Sequence, residues 1–244
     1  MSKRKRPRSY KKVVKQIEKS DVPKETEHVN YSLGKTKHRT KQLELRSFPM
    51  CWGFPMDEVM FSKFFTNALT NLHIMPWDAI LTSESTYLPD ARNVIHTSFI
   101  NTDKSNKYLI MVDSDVLAPP ELVKTLIGHN KPLVGGWYKN KIPDAGMHSP
   151  VVYDYKATKQ DGKGWDVNYY KHRKYPGEGL EKVDGLGAGC LLMRRDLAEA
   201  LGERPYDMNA GGEDLVLCKK VYDLGFDIHV DWSLACAHIG VSYV

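Results

Sequence analysis

The feature that most constrains the fold is an apolar run that ends in two acids. Residues 107–112 read KYLIMV, and Asp113, Ser114 and Asp115 follow directly. A run that is apolar nearly throughout is typical of a parallel strand covered on both faces. Ligands of open α/β sheets bind beyond the carboxyl ends of such strands. The two acids therefore occupy the position of a functional site.

Strand and helix patterns alternate along the rest of the chain. Strands are predicted in QLELRSFPMCW, WDAILTSES, KYLIMVD and KPLVGGWY, and helices in MDEVMFSKFFTNALTNL, ARNVIHTSFINT and ELVKTLIGHN. Residues 139–182 interrupt this alternation of strands and helices and are expected to form a long insertion or a β-rich excursion. A strand and helix in VDGLGAGCLLMRRDLAEAL, a helix in EDLVLCKKVYDLG and a strand pair in FDIHVDWSLACAHIG complete the chain. This order predicts an α/β fold with a mostly parallel central sheet flanked by helices.

The amino-terminal part differs from the rest in charge. Residues 1–46 carry 15 Lys and Arg against 5 Asp and Glu, whereas residues 47–244 carry 20 against 25. We expect a flexible basic leader over residues 1–41 and a single domain over residues 42–244. No apolar run reaches the roughly 20 residues of a membrane span, and the basic start lacks the pattern of a signal peptide. Four scattered cysteines are typical of reduced thiols, so a cytoplasmic location is expected.

The two acids suggest a divalent cation. Carboxylates separated by one residue can project from a turn towards a common point, where a cation relieves their repulsion. All-oxygen ligation favours Mg²⁺ or Mn²⁺, which take further ligands from substrate phosphates. The alternative is a structural one, in which Ser114 and Asp115 cap the helix expected at Pro119.

Four parts in order resemble the nucleotide-sugar-dependent glycosyltransferases of the Rossmann-like GT-A fold. They are the strand KYLIMV, the DxD motif Asp113-Ser114-Asp115, the acidic pair Glu213-Asp214 at a helix start, and a histidine, His238, near the carboxyl end. The resemblance covers roughly residues 43–244. It is closest to the large inverting family and to small bacterial or phage-type members, through Ala91-Arg92-Asn93, DSDV and VGGWY.

The resemblance implies a metal site and a catalytic base. Asp115 would bind Mn²⁺ or Mg²⁺ directly, Asp113 would bind it through water or hold the ribose, and His238 would be the third protein ligand. Asp214 would be the general base that deprotonates the acceptor, with Glu213 as the second choice. A base so placed would give inversion at the anomeric carbon. The plain alternatives are a half-buried His238 bonded to backbone, and acids that cap a helix.

Several further residues are expected to contact the donor together with Asp113. Arg92 would pair with the diphosphate or with Asp113, or else form a surface ion pair. The Gly-rich segment around residue 187 would let the sugar approach the backbone or simply allow a tight turn. The predicted donor-binding residues are Asp113, Pro49, Ser83, Glu84, Arg92, Gly187 and Ala188.

The function expected from these parts is metal-dependent transfer of a sugar from a nucleotide diphosphate, a UDP- or GDP-sugar first, to a hydroxyl acceptor. The acceptor would be a polysaccharide, a protein or a hydroxymethylated DNA base, and the basic leader would suit DNA. The alternative is a non-catalytic or nucleic-acid-binding protein that keeps the fold and uses its basic arm. A dehydrogenase is excluded because GLGAG lacks the GxGxxG spacing and does not follow the first strand.

Overall fold

The computed structural model describes residues 48–55, 72, 74–83, 85, 87–143, 147–160, 166–208 and 212–239. All of them belong to the compact unit Phe48–Val244. The predicted leader, nearly all of the predicted helix MDEVMFSKFFTNALTNL and the donor-site candidate Glu84 lie outside these residues. The predicted boundary between residues 41 and 42 therefore stays a prediction.

Within the described residues the chain forms twelve strands and four helices. The strands are β1 Cys51–Pro55, β2 Ala79–Ser83, β3 Tyr108–Val112, β4 Val116–Leu117, β5 Leu133–Trp137, β6 Val152–Gln160, β7 Asp166–His172, β8 Leu180–Val183, β9 Gly185–Leu186, β10 Cys190–Arg194, β11 Ile228–Ala235 and β12 Ala237–His238. The helices are α1 Leu88–Ile100, α2 Leu122–His129, α3 Arg195–Leu201 and α4 Glu213–Asp223. None of these helices is long and apolar enough to cross a membrane.

The described strands form one large sheet and two small ones. The large sheet has the order β2-β1-β3-β10-β5-β11-β8. β1 is parallel to β2 and β3, and β5 is parallel to β11, whereas β10 and β8 are antiparallel to their neighbours. The small sheets are β12-β4 and β7-β6-β9. The predicted α/β class with a mostly parallel sheet is therefore confirmed.

The central strand β3 explains why the sheet needs helices on both faces. Leu109 and Met111 point into one buried cluster, which also contains Phe99 of α1 and Leu197 of α3. Ile110 and Val112 point into a second cluster with Leu122 and Leu126 of α2. Successive side chains of a strand point to opposite faces. A strand that is apolar at every position is therefore buried on both sides.

Most predicted elements have their expected type, and one strand is displaced. The predicted strand QLELRSFPMCW includes Phe48, Pro49 and Met50, but these residues precede the observed strand, which begins at Cys51. The physical reason is that CWGFP is fully buried between β2 and β3. The interruption over residues 139–182 is β-rich, because β6 and β7 form an antiparallel pair there.

Gly135 of β5 marks a point where the sheet has no room for a side chain. A Cβ there would lie 2.5 Å from the carbonyl oxygen of Cys190 and 2.7 Å from Cδ2 of Leu186. Gly135→Ala is expected to lower the free energy of unfolding by about 1–3 kcal/mol, measured by urea denaturation. Gly128 of α2 is the control, since a Cβ there has nothing within 4 Å. Gly128→Ala is expected to stabilise by about 0.5–1 kcal/mol, and an equal loss in both variants would contradict the steric argument.

Candidate active site

Three chain segments meet where β3 ends. Asp113 follows β3 and begins a turn, because its carbonyl accepts from the N–H of Val116 at 3.0 Å. The N–H of Asp113 donates to the carbonyl of Gly189 at 3.0 Å, just before β10. Since β10 is antiparallel to β3, its beginning lies at the end of β3. Helix α4 begins nearby with Glu213 and Asp214.

Arg92 of α1 joins these segments from inside the protein. The residue is 1% exposed. Its Nη2 donates to Oδ2 of Asp113 at 3.0 Å, and its Nη1 donates to the carbonyl of Ala188 at 3.2 Å. Its Nε lies 3.4 Å from Oε1 of Glu213 and 4.0 Å from Oδ1 of Asp214. Arg92 therefore pairs with Asp113, as one of the two sequence-based alternatives had it, and is not a surface ion pair.

Burial shapes the charges of this cluster. Burial alone would lower the pKa of Arg92, but Asp113 and Asp214 outweigh it and hold the pKa well above its ordinary value. Burial raises the pKa of Asp214 to about 7, with Arg92 opposing the shift and Glu213 and Asp113 adding to it. Oδ1 of Asp113 and Oδ1 of Asp214 are buried and accept no hydrogen bond. Three acids around one guanidinium thus leave acceptor capacity unused.

Asp115 lies in a separate environment, formed by the small sheet of β4 and β12. His238 of β12 pairs with Val116 of β4, and the N–H of Ile239 donates to the carbonyl of Asp115 at 2.9 Å. This pairing places Nε2 of His238 at 3.6 Å from Oδ1 of Asp115. Lys141 donates to Oδ2 of the same carboxylate. Burial would raise the pKa of Asp115, but the bonds from His238 and Lys141 lower it to about 2.

The tautomer of His238 suits a metal ligand. Nδ1 lies 2.8 Å from the carbonyl oxygen of Lys139. A carbonyl only accepts, so Nδ1 carries a proton. Nε2 then donates to Asp115 when the ring is protonated, and it is the nitrogen with a free lone pair when the ring is neutral. Such an N–H bond to a carbonyl is the usual support of a metal-bound histidine. Asp115 and His238 therefore fit a divalent cation.

Asp113 does not converge with the other two predicted ligands. Its Oδ2 is held by Arg92, whereas Asp115 contacts Lys141 and His238. Among the residues that the structure describes, no three His, Cys, Asp or Glu side chains are grouped to hold a metal. In the structure the turn after β3 leaves each of the two carboxylates with its own cation, Arg92 for Asp113 and Lys141 for Asp115. The predicted metal ligation stays a prediction.

Gly187 and Gly189 lack a side chain where the Tyr138 hydroxyl needs the space. A Cβ at Gly187 would lie 2.3 Å from the hydroxyl oxygen of Tyr138. A Cβ at Gly189 would lie 2.7 Å from that oxygen and 2.8 Å from Oδ2 of Asp113. The Tyr138 hydroxyl accepts from the N–H of Gly189 at 3.0 Å. Gly187 and Ala188 are both buried, so their predicted contact with a donor sugar stays a prediction.

The remaining donor-site candidates are divided between the two edges of the sheet. Ser83 ends β2 and is paired with Pro55, the last residue of β1, so it lies at the same edge as Asp113. Pro49 precedes β1, which runs parallel to β3, so it lies at the opposite edge. The strand starts after Pro49, and the predicted contact of Pro49 with the donor stays a prediction.

Sequence reasoning missed Lys141 and the hydroxyl of Tyr138. Lys141 lies in the lysine-rich segment 139–182, where no periodic pattern distinguishes one lysine from another. Tyr138 directly follows β5. It is 5% exposed and packs edge-on against His238 with ring centroids 5.1 Å apart. The one signal in the sequence was the pair of glycines at residues 187 and 189, because glycines at such spacing can indicate a large side chain, here that of Tyr138, packed against the backbone.

Comparison with solved structures places this geometry on a known fold. A197 from STIV is 20% identical and superposes with a TM-score of 0.54, over 78% of this chain and 85% of that one. GalNAc-T7, solved with UDP, GalNAc and Mn²⁺, is 11% identical with a TM-score of 0.52, over 78% of this chain. The fold is GT-A-like. The chain spans 44% of the length of the GalNAc-T7 structure. No protein-family model and no curated protein sequence matches the chain.

Proposed function

We propose that this chain transfers a sugar from a nucleotide diphosphate to a hydroxyl acceptor, with inversion at the anomeric carbon. The observation that carries the proposal is that two separate groups of potential metal ligands and bases lie at the carboxyl end of β3. Asp115 with His238 forms one, and Asp214 with Glu213 forms the other. Arg92 connects the second set to Asp113. Sheet edges of this kind bind ligands in open α/β folds.

Asp115 and His238 would hold Mn²⁺ or Mg²⁺ with the donor diphosphate. When bound, the ion supplies Lewis-acid stabilisation of the departing nucleotide diphosphate. UDP- or GDP-sugars are the proposed donors, and the UDP and Mn²⁺ in the GalNAc-T7 structure support this choice. Asp113, fixed by Arg92 and with a side chain that is 22% exposed, would hold the ribose or a metal-bound water. Ser83 would line the nucleotide pocket at the same edge.

Asp214 would accept the proton of the acceptor hydroxyl. Its pKa of about 7 suits a general base at neutral pH, because about half of the groups are then ionised and each ionised group still binds a proton well. The acceptor oxygen forms a bond to the anomeric carbon while the bond from that carbon to the diphosphate oxygen breaks. The electron pair leaves with the nucleotide diphosphate. Attack opposite the leaving group gives inversion, and Glu213 is the second candidate for the base.

The acceptor is proposed only as a hydroxyl compound. Polysaccharide, protein and hydroxymethylated DNA all supply such a group. The basic residues that would favour DNA lie at 1–46, with 15 Lys and Arg against 5 Asp and Glu.

The proposal is tested by nucleotide release. The full chain is incubated with Mn²⁺ and UDP-, GDP-, CMP- or dTDP-sugars, with and without EDTA, and the free nucleotide is measured. One donor is expected to release nucleotide in a reaction that EDTA stops and that Asp115→Ala lowers by at least about a hundredfold. The matched control is Asp196→Ala, since Asp196 has a 52% exposed side chain bound to Arg194. Release that survives both EDTA and Asp115→Ala would contradict the metal-dependent reaction. If no donor releases nucleotide, the panel is repeated with hydroxymethylated DNA.

A further inference from the structure

Lys141 already supplies a cation to the carboxylate that the metal needs. Its ammonium group donates to Oδ2 of Asp115, while His238 faces Oδ1 of the same carboxylate. The Lys141 side chain is 44% exposed and that of Asp115 is 24% exposed. The contact is thus close to solvent, and the lysine is free to leave it by rotating its side chain.

An ammonium group and a divalent cation cannot both bind this carboxylate well. Mg²⁺ and Mn²⁺ take carboxylate oxygens at about 2.1 Å, where an ammonium group on the other oxygen of the same carboxylate would repel them. A metal that uses Oδ1 of Asp115 and Nε2 of His238 would therefore weaken the ion pair between Oδ2 and Lys141 and favour release of the lysine. The ion pair lowers the apparent affinity of the chain for a metal alone.

A donor diphosphate would offer the displaced lysine a new anionic partner. Within the described residues Asp115 is the one carboxylate that forms an ion pair with Lys141, and the nearby Asp113 is bound by Arg92. A diphosphate that bridges the metal would bring phosphate oxygens to this point. Lysine binds phosphate well as a compact point charge.

We propose that Lys141 alternates between Asp115 in the free protein and the diphosphate of the donor in the complex. The inference rests on the proposed function, since it assigns the metal and the diphosphate to that site. Binding of the metal releases the ammonium group that the diphosphate needs, and binding of the diphosphate keeps that group away from Asp115. Metal and diphosphate therefore bind cooperatively, and each raises the affinity for the other by the same factor.

The first test measures Mn²⁺ binding without any nucleotide, from the electron paramagnetic resonance signal of free Mn²⁺. Lys141→Met is expected to bind Mn²⁺ about three- to tenfold more tightly than the unmodified chain, because the competing cation is gone. Lys104→Met is the control, since Lys104 precedes β3 and lies at the opposite end of that strand from Asp113. It is expected to leave Mn²⁺ binding unchanged. Asp115→Asn is expected to weaken it in both backgrounds.

The second test measures the coupling itself. UDP, GDP, CDP and dTDP are titrated calorimetrically into the unmodified chain and Lys141→Met, each with saturating Mn²⁺ and with EDTA. Mn²⁺ is expected to tighten binding of one nucleotide in the unmodified chain. The ratio of the nucleotide affinity with Mn²⁺ to that with EDTA is the coupling factor, and it is expected to fall about tenfold in Lys141→Met.

The outcomes separate the inference from the proposed function. Equal Mn²⁺ affinity in both chains, or an unchanged coupling factor, overturns the role of Lys141 and leaves a metal-dependent transferase standing. Absence of Mn²⁺ binding in both chains overturns the metal-dependent function and the inference together. Tighter Mn²⁺ binding with reduced coupling supports the inference.

Discussion

Arg92→Met is expected to destabilise the protein by about 3–5 kcal/mol at neutral pH. The guanidinium is buried between Asp113, Glu213 and Asp214 and also bonds the carbonyl of Ala188. Methionine fills similar space but leaves these acids without their cation. Removing one partner of a buried ion pair is costly because the remaining charges stay desolvated. Arg92→Lys restores a positive charge without the planar fork and is expected to recover part of the loss.

Urea denaturation at pH 7.5 and pH 5.5 measures this effect. The loss is expected to be smaller at pH 5.5, because protonated acids need no cation. Arg204→Met is the matched control. Arg204 pairs with Asp90 of α1, the helix that also carries Arg92, and the two side chains are 67% and 45% exposed. Exposed pairs contribute at most about 1 kcal/mol. A loss in Arg92→Met no larger than that in Arg204→Met would show that the buried cluster does not hold the site together.

Asp214→Asn is expected to slow sugar transfer by about 10²–10⁴-fold, the usual contribution of a general base. The same change is expected to stabilise the fold at pH 8. The folded pKa of Asp214 is about 7 against an ordinary value of 3.8, so the folded state holds the proton more tightly than the unfolded chain. Stability from this group is present below about pH 4 and is lost as the pH rises to about 7. Asparagine, which never ionises, avoids that loss.

The stability gain of Asp214→Asn is therefore expected to reach about 2 kcal/mol at pH 8 and to be smaller at pH 5. Urea denaturation gives the gain, and initial rates with the active donor give the loss of activity. Asp223→Asn, at the other end of α4 with a 55% exposed side chain, is the control and is expected to change neither. A larger rate loss in Glu213→Gln than in Asp214→Asn would move the role of base to Glu213.

The elements that local pattern determines were predictable from the sequence. The apolar run of β3, the proline near the start of α1 and the glycine after α4 each carry a local physical signal. Two-sided burial of β3 follows from a strand without polar positions. The acids at the end of that strand were accordingly placed at the correct edge of the sheet.

The partners of those acids were not predictable, because they come from distant parts of the chain. Asp113 is bound by Arg92 and Asp115 by Lys141, and no spacing in the sequence connects these pairs. The predicted strand QLELRSFPMCW contains Pro49, whereas the observed strand begins two residues after it, at Cys51. Boundaries of short strands depend on pairing with neighbours rather than on local composition.

The sequence separation between Arg92 and the acids that bind it also sets the order in which the site is completed during synthesis. Asp113 follows Arg92 by 21 residues, but Glu213 follows by 121. At 5–20 residues per second, the ribosome needs roughly 6–24 s to add that stretch. During this interval the guanidinium must stay hydrated or rely on Asp113 alone. The buried cluster around Arg92 is therefore completed only when α4 has been synthesised, and by then the nascent chain already contains strands β1 to β10.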